Sequence, residues 1–398
     1  MKHPIISCFS CILVAILMLT AYPITANATI DASSAAAISA PVSLDLDCRS
    51  ALLMEATTGT VLYESNADEA LPPASVTKIM TLLLVMEAVE AGKAHLTDTV
   101  TVSAHAASMG GSQVYLKEGE QMSLEELLKC VVIASANDAA VALAEHIAGS
   151  EESFVAMMNV RAGELGAKSA KFENTNGLDD TATAHQMSAR DIALISRELI
   201  RYDTVLHYSS TWMDSIRDGA FGLTNTNRLV RFYPGCTGLK TGSTSKAGFC
   251  IIATAVRDGL SLICVILGSP TRDVRNAAAT KLLDYGFATY TTIAFPAKEG
   301  SPIKVLGGMK DLLSTHYPAF SAVIQKSEKA SLRSSVSLST ELCAPVRVGD
   351  TGGEIVYYVG DREIGRASIV AEEAIDRITM RELLCRIFRA AVLHLREP

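Results

Sequence analysis

The stretch LPPASVTKIMTLLLVMEAVEAG, Leu71 to Gly92, decides the fold. Two prolines prepare the chain to enter a helix near Ala74, and Gly92 stops it. Between them the apolar residues are too dense for a helix with one wet face, so the segment predicts a helix buried on most sides. Only a sizeable domain encloses such a helix. With 398 residues, 49% of them hydrophobic and 20% charged, the chain has the material for a large core and the length for two domains.

Upstream of this helix, SALLMEATTGTVLYES (Ser50 to Ser65) reads as two apolar runs around Thr57-Thr58-Gly59, the pattern of a β-hairpin. Downstream, helical stretches run over Ser123 to Ile133, Ala139 to Ala148, Glu151 to Leu165 and Ala189 to Arg201. Then come GLKTGST (Gly238 to Thr244) and a strong hairpin, GFCIIATAV and LSLICVILG around Arg257-Asp258-Gly259, followed by a helix over Ala277 to Phe287. A hairpin, helices, strands and a closing helix predict an α+β domain over residues 44–290, with one sheet joining the first hairpin to the last strands.

From about Thr291 the texture changes to short β-prone runs broken by Gly, Asp and Pro, such as APVRVG, GEIVYYVG and REIGRASIV. They predict a small β-sandwich over residues 291–370. Residues 371–398 return to helix, with Ile375, Ile378, Leu384, Ile387, Phe388, Ala391 and Leu395 near one face and Arg377, Arg381, Arg386, Arg389 and Arg396 mainly elsewhere. Such a helix suits a membrane surface; the other reading is a helix docked on its own domain. At the opposite end, Lys2, the apolar run Ile12 to Leu19 and Ala26-Asn27-Ala28 make residues 1–28 an export signal, followed by a small-residue spacer over 29–43. An uncleaved anchor is the alternative, although the apolar run is shorter than the ~20 residues that span a bilayer. Either way the remainder belongs outside the cytoplasm, secreted or on the outer face of the cytoplasmic membrane.

The formal net charge of -8 disfavours nucleic acid as a partner. Without Cys8 and Cys11 the chain keeps seven cysteines, an odd number, with no C-x-x-C pair and no His-rich cluster. Most are therefore read as small buried apolar groups, and neither a metal nor a cofactor is expected.

Three short strings carry chemistry: Ser75-Val76-Thr77-Lys78, Ser135-Ala136-Asn137 and Lys240-Thr241-Gly242. Each alone is weak, but they fall in order at a helix start, a helix junction and a strand, as their joint roles require. Residues three apart on a helix share a face, so Lys78 brings its amine beside the Ser75 hydroxyl. A serine attacks only when a neighbour accepts its proton, and a lysine accepts one only when uncharged. Apolar surroundings and a second cation, Lys240, would hold Lys78 neutral. Lys240 is expected to stay positive and draw in a substrate carboxylate, with a hydrogen bond from Thr241, while Gly242 admits the substrate backbone. The amides of Ser75 and Ser243 are the candidate oxyanion hole. Ser135 would relay a proton between Lys78 and the leaving amine, and Asn137 would orient that relay or hold a substrate amide.

At these residues the chain resembles the low-molecular-weight penicillin-binding proteins, the D-alanyl-D-alanine carboxypeptidase family of serine peptidases. LPPASVTKIMT, IASANDAAVALAEH, LTNTNRLV, GLKTGSTSKAGFC and LLDYGF all look like that family's strings, and the likeness covers about Leu44 to Phe287. The resemblance implies a β-lactamase/transpeptidase-like fold, a peptidoglycan stem peptide ending in D-Ala-D-Ala as substrate and β-lactams as covalent inhibitors. It puts the acyl-enzyme on Ser75, the base on Lys78, the second motif on Ser135 and Asn137, and the substrate-binding lysine on Lys240. Arg275 is a softer transfer as a carboxylate ligand, with Arg272 as its rival. Some relatives carry a histidine after K-T-G, where this chain has Ser243.

Three other readings compete. A β-lactamase shares the motifs, but no glutamate between the second and third stands in the E-x-x-L-N context that would activate water. A non-catalytic sensor would not need the full Ser75, Lys78, Ser135 and Lys240 set. An endopeptidase or transpeptidase differs only in leaving group or acceptor. The histidines, His185 among them, show no metal spacing and are read as surface or satisfied core.

Overall fold

The computed structural model describes residues 44–179 and 182–394, so the export signal and spacer lie outside the described residues. Two compact units emerge: a larger one running to Phe295 and joined by Ser321–Leu332, and a smaller one formed by Pro296–Phe320 and the chain from Arg333 onward.

In the larger unit five strands form an antiparallel sheet: β1 (Ser50–Glu55), β2 (Val61–Ser65), β3 (Cys236–Thr244), β4 (Gly248–Arg257) and β5 (Leu260–Ser269), in the order β2-β1-β5-β4-β3. The first hairpin thus joins the last strands through β1 and β5, with Leu52 opposite Val265 and Leu53 opposite Cys264. Successive residues of a strand point to opposite faces, and both faces are covered. Leu52, Ile252 and Val265 pack on one side with the helices, whereas Leu53, Ile251 and Leu262 pack on the other against Leu282 and Leu283. β3 is an edge strand, which leaves one side of Lys240-Thr241-Gly242 free of sheet pairing.

Among the described residues seven helices run to eleven residues or more: α1 (Lys78–Glu90), α2 (Leu124–Ala134), α3 (Asn137–Ala148), α4 (Glu151–Glu164), α5 (Ala189–Leu199) and α6 (Arg272–Thr289) in the larger unit, and α7 (Met380–His394) in the smaller. α1 is buried nearly all round, as its composition demands, with Ile79, Met80, Leu83 and Val85 at 0% exposure. It starts four residues later than the sequence suggests, because Ala74–Thr77 form a 3-10 turn first. α2 opens with a capping box between Ser123 and Glu126 and closes at Ser135 in a left-handed conformation, so α3 follows after a sharp two-residue junction. α6 begins five residues earlier than expected. Thr271 caps it by accepting the Val274 N–H at 3.2 Å, in a polar first turn that shows no apolar periodicity.

The smaller unit contains a five-stranded sheet and a three-stranded sheet around Val305, Leu313, Ala344, Val346, Ala371 and Ile375. Its boundary differs from the expected break at 290/291. Tyr290–Phe295 pairs with Phe320–Gln325, Tyr290 and Val323 belong to the core around Leu282, and Lys326 Nζ donates to the Phe287 carbonyl at 2.7 Å. The terminal helix is also shorter than residues 371–398. Ala371 ends a strand and Ile375 bridges Val346 in the core, so helix begins only at Met380. Met380 and Phe388 are 72% and 70% exposed on it. No helix among the described residues is long and apolar enough to cross a membrane.

Candidate active site

Ser75 stands on the 3-10 turn that leads into α1, and the residue before it is strained: Ala74 has φ +49°, a region non-glycine residues seldom occupy. Strain of this kind persists only when neighbours fix it. Thr77 Oγ1 donates to the Ala74 carbonyl at 2.8 Å and meets His185 Nε2 at 2.7 Å. His185 Nδ1 accepts the Glu173 N–H at 3.1 Å, which places the proton of a neutral ring on Nε2 and makes it the donor to Thr77. Burial pushes the His185 pKa down to about 4, against a weaker pull from Glu173, so the ring stays neutral and keeps this direction. His185 is thus satisfied core, but its hydrogen bond serves the nucleophile's turn.

Two glycines make room for the same turn. A Cβ on Gly177, itself at φ +84°, would fall 1.9 Å from the Ala74 carbonyl oxygen. One on Gly242 would lie 2.8 Å from the Ser75 nitrogen and 2.9 Å from that of Val76. The sequence suggested that Gly242 admits the substrate backbone. Instead, the space its missing side chain leaves is taken by the protein's own nucleophile turn.

Lys78 is wholly buried, and its Nζ has three partners: Ser75 Oγ at 2.9 Å, Asn137 Oδ1 at 2.6 Å and the Asn176 carbonyl at 2.8 Å. Asn137 Nδ2 donates to the Gly110 carbonyl at 2.7 Å, which fixes the amide with its oxygen toward Lys78. Burial first, then Lys240, hold the Lys78 pKa well below the usual lysine range, while Asp138 opposes them. A neutral amine has two N–H groups and one lone pair. The Asn137 oxygen and the Asn176 carbonyl can only accept, so they take both N–H groups and the lone pair is left for the Ser75 hydroxyl.

Ser135 and Asn137 flank the α2–α3 junction. Ser135, at φ +64°, turns its Oγ to accept from Lys240 Nζ at 2.7 Å. Asn137 spends its oxygen and one N–H inside the protein, leaving a single N–H for other uses. Asp138 supports the start of α3 through the Ala139 N–H at 2.9 Å, and also ties down Val114 and Leu116. Lys240 is 1% exposed and donates its other bond to the Thr241 carbonyl at 2.8 Å. Burial, then Arg275, push its pKa down to about 7. Lys240 therefore stands behind Ser135 and does not line the open cleft.

That cleft has a volume of about 540 Å³ and brings together Ser75, Ser135, Thr241, Gly242, Ser243 and Arg275. Arg272 lines it too, so both arginines that the sequence could not separate are there. They differ in burial: Arg272 is exposed, whereas Arg275 is 3% exposed, donates to the Cys250 carbonyl and Asn276 Oδ1, and has its pKa pushed down to about 10 by burial. Thr226 was missed by the sequence reading. Asn225 and Asn227 bond backbone carbonyls at Ser209 and Gly238, the turn chemistry expected of NTN, and the Thr226 between them accepts from Thr241 Oγ1 at 2.8 Å. The Asn176 carbonyl was missed as well; its nearest signal was the turn-forming run Asn174 to Gly177. All seven cysteines in the described residues are free thiols.

The chain is similar to known proteins over most of its length. A family profile described as D-alanyl-D-alanine carboxypeptidase matches residues 34–271, and one described as penicillin-binding protein 5, C-terminal domain, matches residues 296–377. The D-alanyl-D-alanine carboxypeptidase DacF of Bacillus subtilis is 41% identical over 82% of this chain and 85% of its own length. DacC of Escherichia coli is 35% identical over 83% and 85%. The crystal structure of penicillin binding protein 5 from Haemophilus influenzae superposes with a TM-score of 0.76 at 30% identity, covering 86% of this chain and all of that one. With Ser75, Ser135, Thr241 and Gly242 lining one cleft, Lys78 and Lys240 buried behind it, and these matches spanning most of the sequence, the chain belongs to the D-alanyl-D-alanine carboxypeptidase family of serine peptidases.

Proposed function

We propose that this protein removes the terminal D-alanine from peptidoglycan stem peptides through an acyl-enzyme on Ser75. The observation that carries this reading is the Lys78 amine, 2.9 Å from Ser75 Oγ with its other two partners both acceptors. Ser75 Oγ attacks the penultimate D-Ala carbonyl and its proton passes to Lys78 Nζ. The amides of Ser75 and Ser243 hold the oxyanion. The leaving nitrogen takes a proton from Ser135 Oγ, which Lys240 replenishes across their 2.7 Å bond; a pKa near 7 suits that transfer. Water then cleaves the ester. Ser75 recovers the proton from Lys78, and a proton from the water restores Lys240. Arg275 holds the terminal carboxylate, joined by the Thr241 hydroxyl once it turns from Thr226, and β-lactams acylate Ser75 by the same steps.

D-Alanine release from a peptide ending in Lys-D-Ala-D-Ala tests this reading. The full chain should release it and Ser75→Ala should not. A folded wild-type protein that binds the peptide without releasing D-alanine would overturn the reading.

The domain and location readings join this proposal. Residues 44–295 with 321–332 are the peptidase, and the β-rich unit is an accessory. The chain is exported, and α7 lies on the outer face of the cytoplasmic membrane. Exposed Leu384, Ile387 and Phe388 beside exposed Arg381 and Arg389 support that placement. Deleting residues 380–398 should release the protein from anionic vesicles; unchanged binding would contradict the placement.

A further inference from the structure

The cleft holds more positive charge than one carboxylate needs. A terminal carboxylate is satisfied by one guanidinium fork and a hydroxyl, which Arg275 and Thr241 supply. Arg228 and Arg272 line the same cleft and are exposed to it. Among the described residues neither has a carboxylate partner. Both lie near enough to Arg275 to disfavour its charge, with Cys250 and Asp273 opposing them. Lys240 adds a further basic group behind Ser135. The N-terminus of α6, eighteen residues long, bears Arg272 and Arg275 and so adds its positive dipole end to the same wall. Like charges that outnumber the nearby acid, Asp273, repel one another, and binding an anion relieves the repulsion. A neutral donor is present too: Trp212 lines the cleft, and its buried indole N–H has no partner.

We propose that Arg228 and Arg272 form a subsite for a second carboxylate on the leaving side of the scissile bond, so that the enzyme favours D-Ala–X bonds in which X is a D-residue with an acidic side chain. Arg275 takes the α-carboxylate of X, and Arg228 and Arg272 take the side-chain carboxylate. The inference rests on the carboxypeptidase reading and adds a leaving-group preference to it. The chemistry balances as for D-alanine: the bond to X breaks, X leaves as the free amine and water completes the acid.

Three peptides identical up to the penultimate D-Ala and ending in D-Glu, D-Gln or D-Ala test it with the full chain. D-Glu and D-Gln have nearly the same shape, so the ratio of their kcat/KM values isolates the charge. The expected wild-type ratio is about fivefold or more at low ionic strength, falling as salt is added. In Arg228→Gln/Arg272→Gln it should fall toward one. A wild-type ratio at or below one overturns the proposal, as does a ratio that persists in the double variant. Should the variant fail to fold, as penicillin acylation would reveal, the wild-type ratio and its salt dependence still decide. Release from none of the three peptides would overturn the carboxypeptidase reading and this inference with it; release of D-Ala and D-Gln without a D-Glu advantage overturns the inference alone.

Discussion

The two units bury different things. The larger encloses Lys78, Lys240, Asn137, Asp138 and Arg275, each nearly without exposure, whereas in the smaller the described buried polar groups reduce to Thr315. Burying an amine is costly unless partners surround it, and a chain accepts that cost where chemistry depends on it. Lys78 has three partners and a lowered pKa, and Lys240 has two. The smaller unit is an ordinary apolar core of short strands, and its unusual feature faces outward, in the apolar residues of α7. The contrast places buried polar groups in one unit and an outward-facing apolar helix in the other.

Substitutions can break that contrast. Ser75→Ala should lower β-lactam acylation and peptide cleavage by at least ~10³-fold with thermal stability retained, because only the nucleophile is lost. Lys78→Gln should cost nearly as much, ~10²–10⁴-fold in acylation, since among the described residues no second base bonds Ser75 Oγ. Thr77→Val removes the hydroxyl between His185 and Ala74. We expect acylation to fall about tenfold with kcat affected more than KM, and a stability loss of ~1–3 kcal/mol from the unmet carbonyl and imidazole. If kcat is unchanged while stability falls, the relay is merely structural. In the smaller unit, Ile375→Ala should destabilise that unit by ~2–4 kcal/mol and leave β-lactam acylation within about twofold. A large loss of acylation there would show that the units are not separable in this way.

Legibility followed the same division. The Ser75–Lys78 pairing could be read because both residues sit on one turn, three positions apart. The rim around it could not. The Asn176 carbonyl that completes Lys78 is backbone from 98 residues away, and carbonyls leave no residue-type signature. The sequence put Lys240 in the open as a carboxylate anchor, since a K-T-G string reveals strand but not depth; only the approach of Ser135 to 2.7 Å shows it buried. The sheet was readable from the near-continuous apolar runs of β4 and β5 on either side of Arg257-Asp258-Gly259. The domain boundary was not, because Tyr290–Phe295 is as β-prone as the strands of the smaller unit and its partner lies beyond several of them. α7 was placed too early for a similar reason: Ile375 fits an amphipathic helix and a core bridge equally well until Val346 is found opposite it.

The central claim is that Lys78 works as a neutral base because burial and Lys240 hold its pKa down. The most direct test is the pH dependence of β-lactam acylation in the wild type and in Lys240→Gln. A lowered pKa means Lys78 is protonated, and inactive as a base, only below that value, so acylation should rise with pH through it; a separate falling limb belongs to Lys240, which loses the proton it supplies through Ser135 as pH passes about 7. Removing the Lys240 charge takes away one of the two causes, so the rising limb should move to higher pH in the variant. A flat profile in the wild type, or a limb that stays in place when Lys240 is neutralised, would contradict the account.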